Sequence, residues 1–260
     1  MIEGYAFDLK GRVALVTGAS SGLGARFSRI LAESGAAVVL AARRKQALEA
    51  VVAEIEALGG RAIAVEMDVT DATSVAEGFD AAEAAFGPVD TVIANAGTNI
   101  QGSALELEAE AFNAVMAVNV LGVFLTAREG ARRMIADDSK SRRHGRILLV
   151  SSITATAISP GLATYSASKA ACLQLGRVLA RDWANSGINV NILCPGYIET
   201  DLNSDWFSTE HGQRHIAKWP RRRMMDASSL DATVLHLSSD ASAFITGSVV
   251  TIDDGQTLAS

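Results

Sequence analysis

Three residues in the second half of the chain have the types and the spacing needed to move a proton on and off an oxygen atom. Ser152 lies thirteen positions before Tyr165, and Lys169 follows the tyrosine by four positions. Residues four apart share one face of a helix, so the phenol and the ammonium would be neighbours. A free phenol has a pKa of about 10 and is a poor acid at neutral pH, but a nearby ammonium stabilises the phenolate and eases proton transfer. The serine hydroxyl could hold a substrate oxygen beside the phenol.

The spacing Tyr-x-x-x-Lys also occurs by chance in many helices, so it is weak evidence when taken alone. The apolar residues 146–151 predict a buried strand, which would place Ser152 at the carboxyl end of that strand. A second feature is needed to decide between chance and chemistry.

A glycine-rich turn near the amino terminus predicts a site for an anion. The apolar residues 12–17 predict a strand, and Gly18, Gly22 and Gly24 follow it before residues with helical apolar spacing. A glycine turn and a helix N-terminus together direct backbone N–H groups and the positive end of the helix dipole at a ligand. The pattern Gly-x-x-x-Gly-x-Gly is not the Gly-x-Gly-x-x-Gly of the general dinucleotide fingerprint, but its place after the first strand favours a pyrophosphate.

The same turn also fits the Gly-x-Ser-x-Gly nucleophile elbow of a hydrolase, with Ser20 as the nucleophile. An elbow serine needs an oxyanion-hole loop from an earlier strand, and only about a dozen residues precede the strand that leads into this turn. It also needs a downstream acid and histidine, and none of the four histidines has a recognisable triad context. We therefore reject the hydrolase interpretation.

Taken together, the two ends of the chain resemble the short-chain dehydrogenase/reductase family, and the resemblance covers nearly all 260 residues. Within that family the chain is similar to 3-oxoacyl-carrier-protein reductases and to gluconate and polyol dehydrogenases. Asp254 is a departure, because glycine is commoner in the family at that position. The motifs, in chain order, are Thr17-Gly18-x-x-x-Gly22-x-Gly24, Asp68-Val69, Asn95-Ala96-Gly97, Asn119, Ser152, Tyr165-x-x-x-Lys169, Pro195-Gly196 and the terminal segment 245–253.

The resemblance implies a role for each residue of these motifs. Tyr165 would be the general acid in reduction and the base in oxidation, Ser152 would hold the substrate oxygen, and Lys169 would support the tyrosine and bind the nicotinamide ribose. Asn119 would distort its helix and help hold a water next to Lys169; the alternative is a locally bonded core asparagine. The implied cofactor-binding residues are Gly18, Ser20, Ser21, Gly22, Leu23, Gly24, Arg43, Asp68, Val69, Asn95, Ala96, Gly97, Tyr165, Lys169, Pro195, Gly196, Ile198 and Thr200.

The end of the second predicted strand bears on the choice of cofactor. A site specific for NAD places a carboxylate there to bind the ribose hydroxyls, whereas an NADP site offers arginine to the 2′-phosphate. This chain has Ala42 at the carboxylate position and Arg43 next to it. Arg43 and Arg44 could instead begin the next helix on its solvent side, but that does not explain the missing carboxylate. We expect NADP(H) to be preferred and NAD(H) to be used less well.

The expected function is an NADP(H)-dependent oxidoreductase that interconverts a ketone and a secondary alcohol, without a metal. The substrate would be of the 3-oxoacyl, sugar-acid or polyol type or another carbonyl compound. The alternative is a catalytically silent sensor that only binds the dinucleotide. The complete set of Asn119, Ser152, Tyr165 and Lys169 favours the enzyme, because a sensor does not need all four.

Composition excludes several other classes of protein. The net charge of −6 argues against a nucleic-acid surface. We see no secretory signal pattern and no apolar run of membrane-spanning length, so we expect a cytoplasmic protein with no membrane partner. Cys172 and Cys194 lie in apolar stretches and are expected to be buried thiols. His211 and His215 are four apart, but no carboxylate or cysteine completes a metal set.

Alternating strand-like and helical segments predict a single α/β domain, residues 1–260, with a doubly wound parallel sheet of about seven strands and helices on both faces, a Rossmann-type fold. All the motifs fall at carboxyl ends of strands, where ligands of such sheets bind. The predicted strands are 12–16, 37–41, 61–66, 90–94, 145–151, 188–193 and 248–253, and the helices include 44–58, 71–86, 106–134 and 164–184.

Two further features concern assembly and substrate. The predicted helices 106–134 and 164–184 are apolar around much of their circumference, and the family packs such helices between subunits, so we expect a homodimer or homotetramer. Residues 201–223, called here the substrate loop, contain Trp206, Phe207 and Trp219 followed by three arginines. These side chains either line the substrate pocket and favour an anionic, apolar substrate, or pack under the loop with the arginines in solvent.

Overall fold

The protein is built around one parallel sheet, seen in a computed structural model that describes residues 7–198 and 207–258. The strand order is β3-β2-β1-β4-β5-β6-β7, and every neighbouring pair is parallel. This confirms the predicted fold class and the seven predicted strands. The strands are β1 (Val13–Thr17), β2 (Ala37–Ala42), β3 (Arg61–Glu66), β4 (Thr91–Ala94), β5 (Gly145–Val150), β6 (Ile188–Pro195) and β7 (Val249–Ile252).

Helices connect the strands and cover both faces of the sheet. Within the described residues they are α1 (Gly22–Glu33), α2 (Lys45–Ala57), α3 (Ala72–Phe86), α4 (Ala109–Met116), α5 (Val123–Ala136), α6 (Ser139–Arg142), α7 (Ala163–Trp183), α8 (Glu210–Ile216) and α9 (Asp231–Ser238). Sequence analysis did not predict α6, α8 and α9. Each of them is eight residues or shorter, too short for helical periodicity to stand out.

Two apolar cores lie on opposite faces of the sheet. Successive residues of β1 alternate between them, with Ala14 and Val16 in one core and Val13 and Leu15 in the other. This alternation is the period-two pattern of a strand buried on both sides. Both cysteines are buried free thiols, as predicted, and burial raises the pKa of Cys172 to about 11.

The predicted helix 106–134 is interrupted, and it begins later than predicted. A π-helical segment, Ala117–Gly122, separates α4 from α5 and contains Asn119. A π turn adds one residue to the local helical repeat and is found mostly at functional sites. The distortion that the resemblance implied for Asn119 is therefore present in the structure.

The combined run Ala109–Ala136 is, by length and composition alone, long and apolar enough to cross a membrane, which the sequence analysis did not expect. Its buried residues, among them Val115, Val123 and Leu125, belong to the hydrophobic core of the domain. The run is thus a helix of this fold that keeps an apolar outer face. Only 33% of its most apolar stretch is buried within one chain.

A charged network ties the amino ends of the strands together, at the edge opposite the predicted site. Arg12 is buried and donates to Asp90 at 3.0 Å and to Asp240 at 2.5 Å. Arg146, which is 2% exposed, donates to the carbonyl of Ser239 at 3.0 Å. Burial, and then the neighbouring Arg12 charge, lower the pKa of Arg146 to about 10. These bonds leave the carboxyl edge as the edge available for a ligand.

Candidate active site

The glycine turn after β1 permits close approaches that a side chain would block. Gly18 has a φ of +66°, and a Cβ there would lie 2.9 Å from the Cα of Ala96. A Cβ on Gly24 would lie 2.3 Å from the carbonyl oxygen of Gly18. A Cβ on Gly22, by contrast, would meet nothing within 4 Å, so the turn is open on its outer side. The turn and the N-terminus of α1 have the form that a pyrophosphate needs.

The segment after β4 is fastened to the end of β1. The side chain of Asn95 donates to the carbonyl of Thr17 at 2.9 Å, and the backbone N–H groups of Asn95 and Ala96 both donate to the hydroxyl of Thr17 at 3.0 Å. Gly97 follows, exposed, at the edge of the site. These bonds hold residues 95–97 beside the glycine turn, where the resemblance expects them.

The arginine that contacts the glycine turn is Arg44. Its Nη2 donates to Ser20 Oγ at 2.9 Å and to Ser21 Oγ at 2.8 Å. Ser21 is the N-cap of α1 but makes no side-chain capping bond, so its hydroxyl faces the arginine instead. Arg43, the arginine predicted to bind the cofactor, is exposed. Its charge contributes to the lowered pKa of Asp68, which follows the neighbouring strand β3. Sequence analysis noted Arg44 but did not include it among the cofactor-binding residues.

Asp68 lies after β3 at the same edge of the sheet. Its Oδ1 accepts from the backbone N–H of Thr70 at 2.9 Å and from the Thr70 hydroxyl at 2.7 Å. These bonds, with a smaller contribution from the Arg43 charge, hold the pKa of the Asp68 carboxyl below its usual range. The N-cap of α3 is Asp71, whose side chain accepts from the N–H of Thr73. Val69 is buried next to Asp68.

The predicted catalytic tyrosine and lysine share one face of α7. Lys169 Nζ lies over the Tyr165 ring, 5.5 Å from its centroid. Lys169 is 3% exposed, and its ammonium donates to the carbonyl of Val150, the last residue of β5, at 2.9 Å. Tyr165 is half-buried. The arrangement places a positive charge beside a phenol that solvent can reach.

Asn119 is fully buried and connects two parts of the site. Its side-chain amide donates to the carbonyl of Thr98 and to the hydroxyl of Ser168, both at 2.9 Å, and its Oδ1 accepts from the N–H of Thr98 at 2.8 Å. A Cβ placed on Gly97 would lie 3.4 Å from Lys169 Nζ and 3.5 Å from Asn119 Oδ1. The amide and the ammonium therefore both lie close to the Cα–H of one glycine, with no room for a larger side chain between them.

Ser152 follows β5, as predicted from the apolar run before it. It caps the short turn Ile153–Ala155, and its hydroxyl accepts from the N–H of Thr154 at 3.2 Å. The preceding Ser151 donates to the carbonyl of Lys169 at 2.8 Å, which joins the strand end to α7. The end of β5, which precedes Ser152, is thus bonded to the helix that carries Tyr165 and Lys169.

The segment after β6 is held by the carboxyl-terminal part of the chain. Gly196 donates to the carbonyl of Ile252 at 2.8 Å, and Pro195 pairs with the same residue. The buried side chain of Gln256 accepts from the N–H of Tyr197 at 2.6 Å and donates to its carbonyl at 3.1 Å. Ile198 is buried and bridges to Met225. Thr200 lies outside the described residues.

An aromatic cluster, consisting of Tyr197, Phe207, His215 and Trp219, underlies the described part of the substrate loop. The ring of Trp219 stacks on Tyr197 with centroids 5.4 Å apart and an angle of 16°, and Phe207 meets Tyr197 edge-on. Phe207 and Trp219 are both 5% exposed. The structure therefore favours the alternative in which these aromatic rings pack under the loop; Trp206 lies outside the described residues.

Two of the three arginines that end the loop are paired with Asp254. Arg221 lies 3.2 Å and Arg223 2.7 Å from its carboxylate. This contact holds the pKa of the Asp254 carboxyl below its usual range, chiefly through the bond from Arg223. Because Arg221 and Arg223 both pair with a carboxylate, their charges are partly neutralised, which argues against the anion-binding interpretation of the loop. It also gives the unusual Asp254, which has a φ of +50°, a structural partner.

With this geometry established, comparison with known proteins identifies the family. The chain belongs to the short-chain dehydrogenase family, whose model matches residues 12–211. It is 35% identical to gluconate 5-dehydrogenase of Gluconobacter oxydans over 253 residues, 97% of each chain. It is 32% identical to a 3-oxoacyl-acyl-carrier-protein reductase of Escherichia coli over 248 residues, 95% of this chain and 98% of the relative. The protein is an oxidoreductase of the kind that acts on CH–OH groups.

Solved structures of the family agree in fold. A gluconate 5-dehydrogenase of Burkholderia cenocepacia, in complex with NADP and tartrate, superimposes with a TM-score of 0.91 at 33% identity and covers 98% of both chains. A short-chain dehydrogenase/reductase of Mycobacterium marinum gives a TM-score of 0.90 at 35% identity, with 97% of this chain and 98% of the other covered.

Proposed function

We propose that the protein is an NADP(H)-dependent oxidoreductase that interconverts a ketone and a secondary alcohol, with Tyr165 as the general acid and base. The observation that carries the proposal is the bonded unit in which Lys169 lies over the Tyr165 ring and bonds the end of the Ser152 strand. Perturbed or paired groups that converge beside a nucleotide turn are typical of an active site.

The four side chains divide the work of one proton transfer. In reduction, Ser152 donates to the carbonyl oxygen and holds it beside Tyr165, and the phenol gives that oxygen its proton as the alcohol forms. Lys169 stabilises the phenolate that remains. Asn119, which lies beside Gly97 as the ammonium does, would support the route by which the proton is replaced. The nicotinamide cofactor, when bound, supplies or accepts the hydride.

The residues for holding that cofactor are those of the carboxyl edge. The glycine turn and the N-terminus of α1 would bind the pyrophosphate, Asp68 and Val69 the adenine, and Asn95, Ala96 and Gly97 the ribose side. Beyond β6, Pro195, Gly196, Ile198 and Thr200 would meet the nicotinamide. Leu23, half-buried in the first turn of α1, would pack against the dinucleotide.

NADP(H) is the proposed cofactor because two arginines and no carboxylate follow β2. Arg44, already bonded to Ser20 and Ser21, would present its guanidinium to the 2′-phosphate together with Arg43. NADP in the Burkholderia cenocepacia relative supports this choice.

The substrate would be a small carbonyl compound or alcohol. The relatives named above act on gluconate or on 3-oxoacyl groups, and the sugar-acid and 3-oxoacyl classes both remain candidates. We also propose that the enzyme is cytoplasmic and works as a homodimer or homotetramer, with no nucleic-acid or membrane partner and no metal.

The test is Tyr165→Phe, which removes the hydroxyl and keeps the ring. General acid catalysis is typically worth roughly 10²–10⁴-fold, so kcat with NADPH and an accepted ketone should fall by that amount. NADPH binding, measured by fluorescence titration, should be nearly unchanged, which serves as the control for folding. Retention of more than about a tenth of the turnover would contradict the role of Tyr165.

A further inference from the structure

Two hydroxyls from different loops meet next to the proposed catalytic residues. Tyr197 Oη lies 3.3 Å from Ser159 Oγ, and either atom can be the donor. Tyr197 comes two residues after β6, and Ser159 lies in the loop between the Ile153–Ala155 turn and α7. Both side chains are half-buried, so a ligand can reach them.

The topology brings this pair to the same edge of the sheet as the proposed catalytic residues. β5 and β6 are neighbours in register, with Val150 opposite Leu193, so the loops that follow them leave the sheet at the same point. Ser159 belongs to the loop that begins at Ser152 and ends at the helix of Tyr165. A substrate oxygen held between Ser152 and Tyr165 therefore leaves the rest of the substrate close to the Ser159–Tyr197 pair.

Tyr197 is held in place more firmly than an ordinary loop residue. Gln256 bonds both its N–H and its carbonyl, at 2.6 and 3.1 Å. Its ring stacks on Trp219 and contacts Phe207 at an angle of 73°. A hydroxyl fixed in this way loses little conformational entropy on binding a ligand, which is the property of a preorganised recognition group.

The hydrogen-bonding capacity of the pair exceeds what the protein uses. Each hydroxyl carries one donor hydrogen and two acceptor lone pairs. In the described part of the chain, the side-chain hydroxyls of Ser159 and Tyr197 bond each other and no further group, so their contact uses one of the two O–H donors. The second O–H and several lone pairs are left to face the site.

We propose that Ser159 and Tyr197 form a hydroxyl-binding subsite that selects carbonyl substrates carrying hydroxyl groups on the carbons beyond the reacting one. The inference rests on the proposed function and adds the substrate class to it. A substrate hydroxyl would accept from one member of the pair and donate to the other, whereas an alkyl chain would leave both desolvated. A site built to bond a hydroxyl discriminates strongly against the analogue that lacks it.

The charges nearby are consistent with recognition by neutral hydroxyl groups. Arg221 and Arg223, the basic residues at the end of the substrate loop, are both engaged by Asp254. The rings of Phe207 and Trp219 beneath the loop are buried, so they do not themselves offer an apolar wall to an acyl chain. The competing interpretation is that the hydroxyl pair only fastens the substrate loop to the catalytic loop.

The experiment uses a panel of ketones paired by carbon number, such as a ketohexose and hexan-2-one, assayed with the intact enzyme and with both NADPH and NADH. Tyr197→Phe keeps the stacked ring and removes the hydroxyl, and Ser159→Ala removes its partner. Thr156→Val is the control, because it removes a hydroxyl of the same loop that bonds only the Ile153 carbonyl within the described residues.

We expect the unmodified enzyme to prefer the hydroxylated member of each pair. Tyr197→Phe and Ser159→Ala should raise KM for that member by roughly five- to a hundredfold, the usual cost of leaving a polar group unsatisfied. The kcat for that member, and KM and kcat for the unsubstituted ketone, should change less than about threefold. An equal loss for both members would overturn the subsite and leave a fastening role. A preference for the unsubstituted ketones would overturn it as well, with the proposed function intact. No reduction of any ketone by the unmodified enzyme would overturn the proposed function itself.

Discussion

Arg44 Nη2 lies 2.9 Å from Ser20 Oγ, so the residue just before α2 contacts the glycine turn that follows β1. The two strands are adjacent and parallel, with Thr17 opposite Ala41, and this register brings their following loops together. The bond gives the glycine turn a positive charge on the side of β2, where the proposed function places the 2′-phosphate.

The arginines should therefore decide the cofactor preference. Charge-assisted hydrogen bonds are worth about 1.5–3 kcal/mol, so Arg44→Ala or Arg43→Ala should weaken NADPH binding by roughly ten- to a hundredfold and leave NADH binding nearly unchanged.

Ala42→Asp with Arg43→Ala should shift the preference toward NADH, because a carboxylate there repels the 2′-phosphate. Arg181→Ala, an exposed arginine in the last turn of α7, is the control. An unmodified enzyme that already prefers NADH would refute the charge argument.

Asn119 should matter for both stability and turnover. Asn119→Ala removes three hydrogen bonds and leaves the backbone of Thr98 unsatisfied, which we expect to cost about 1–3 kcal/mol in the free energy of unfolding. If Asn119 also supports proton replacement, kcat for ketone reduction should fall more steeply at high pH, where solvent protons are scarce, than at low pH. Loss of stability alone does not produce this pH dependence. Urea unfolding and a pH–rate profile separate the two. Asn113→Ala, at an exposed position on α4, should change neither.

The apolar outer faces of the long helices predict self-association. Leu121 is 44% exposed within the π-helical segment, and Val178 is 46% exposed on α7. Covering them would bury apolar surface worth about 25 cal/mol per Å². Light scattering should give two or four times the 27.2 kDa chain mass, and Leu121→Glu or Val178→Glu should lower it. Leu58→Glu, 73% exposed at the end of α2, should not. A mass of one chain at micromolar concentration would exclude the assembly.

His215 should make the substrate loop sensitive to acid. Burial, and then the charge of Lys218, lower the pKa of His215 below its ordinary value of about 6.5. The unfolded segment therefore binds a proton more readily than the folded one. The stability that neutral His215 contributes is present above about pH 6.5 and is lost as the pH falls through the lowered pKa. Limited proteolysis of the loop should accelerate between pH 7 and pH 5, and His215→Gln should flatten that dependence. The exposed His211→Gln should leave it unchanged.

The architecture and most of the site were predictable because they depend on local patterns. Apolar runs bounded by glycines marked all seven strands, and parallel strands bring their carboxyl ends to one edge whatever the details of the loops. That rule alone brought Gly18, Asp68, Asn95, Ser152 and Gly196 together. Their catalytic and binding roles stay predictions until they are tested.

What the sequence did not reveal depends on tertiary contacts. Which of two adjacent arginines turns toward Ser20 depends on where α2 begins, and the pattern cannot locate that start to one residue. Gln256 is 59 residues from Tyr197 and carries no motif, yet it bonds both backbone groups of the tyrosine. The burial of Trp219 follows from its stacking on Tyr197, whereas its spacing in the sequence suited a pocket wall equally well.

The π-helical segment around Asn119 also has an evolutionary consequence. Deleting one residue from Ala117–Gly122 would restore a regular helix with better-formed hydrogen bonds. It would also turn every preceding side chain by about 100° relative to those that follow, since a helix has about 3.6 residues per turn, and separate the amide of Asn119 from Ser168 and Thr98. If Asn119 has its proposed role, the more stable protein would then be the less active one. In this short stretch, selection for stability and selection for activity would act on the same residues in opposite directions.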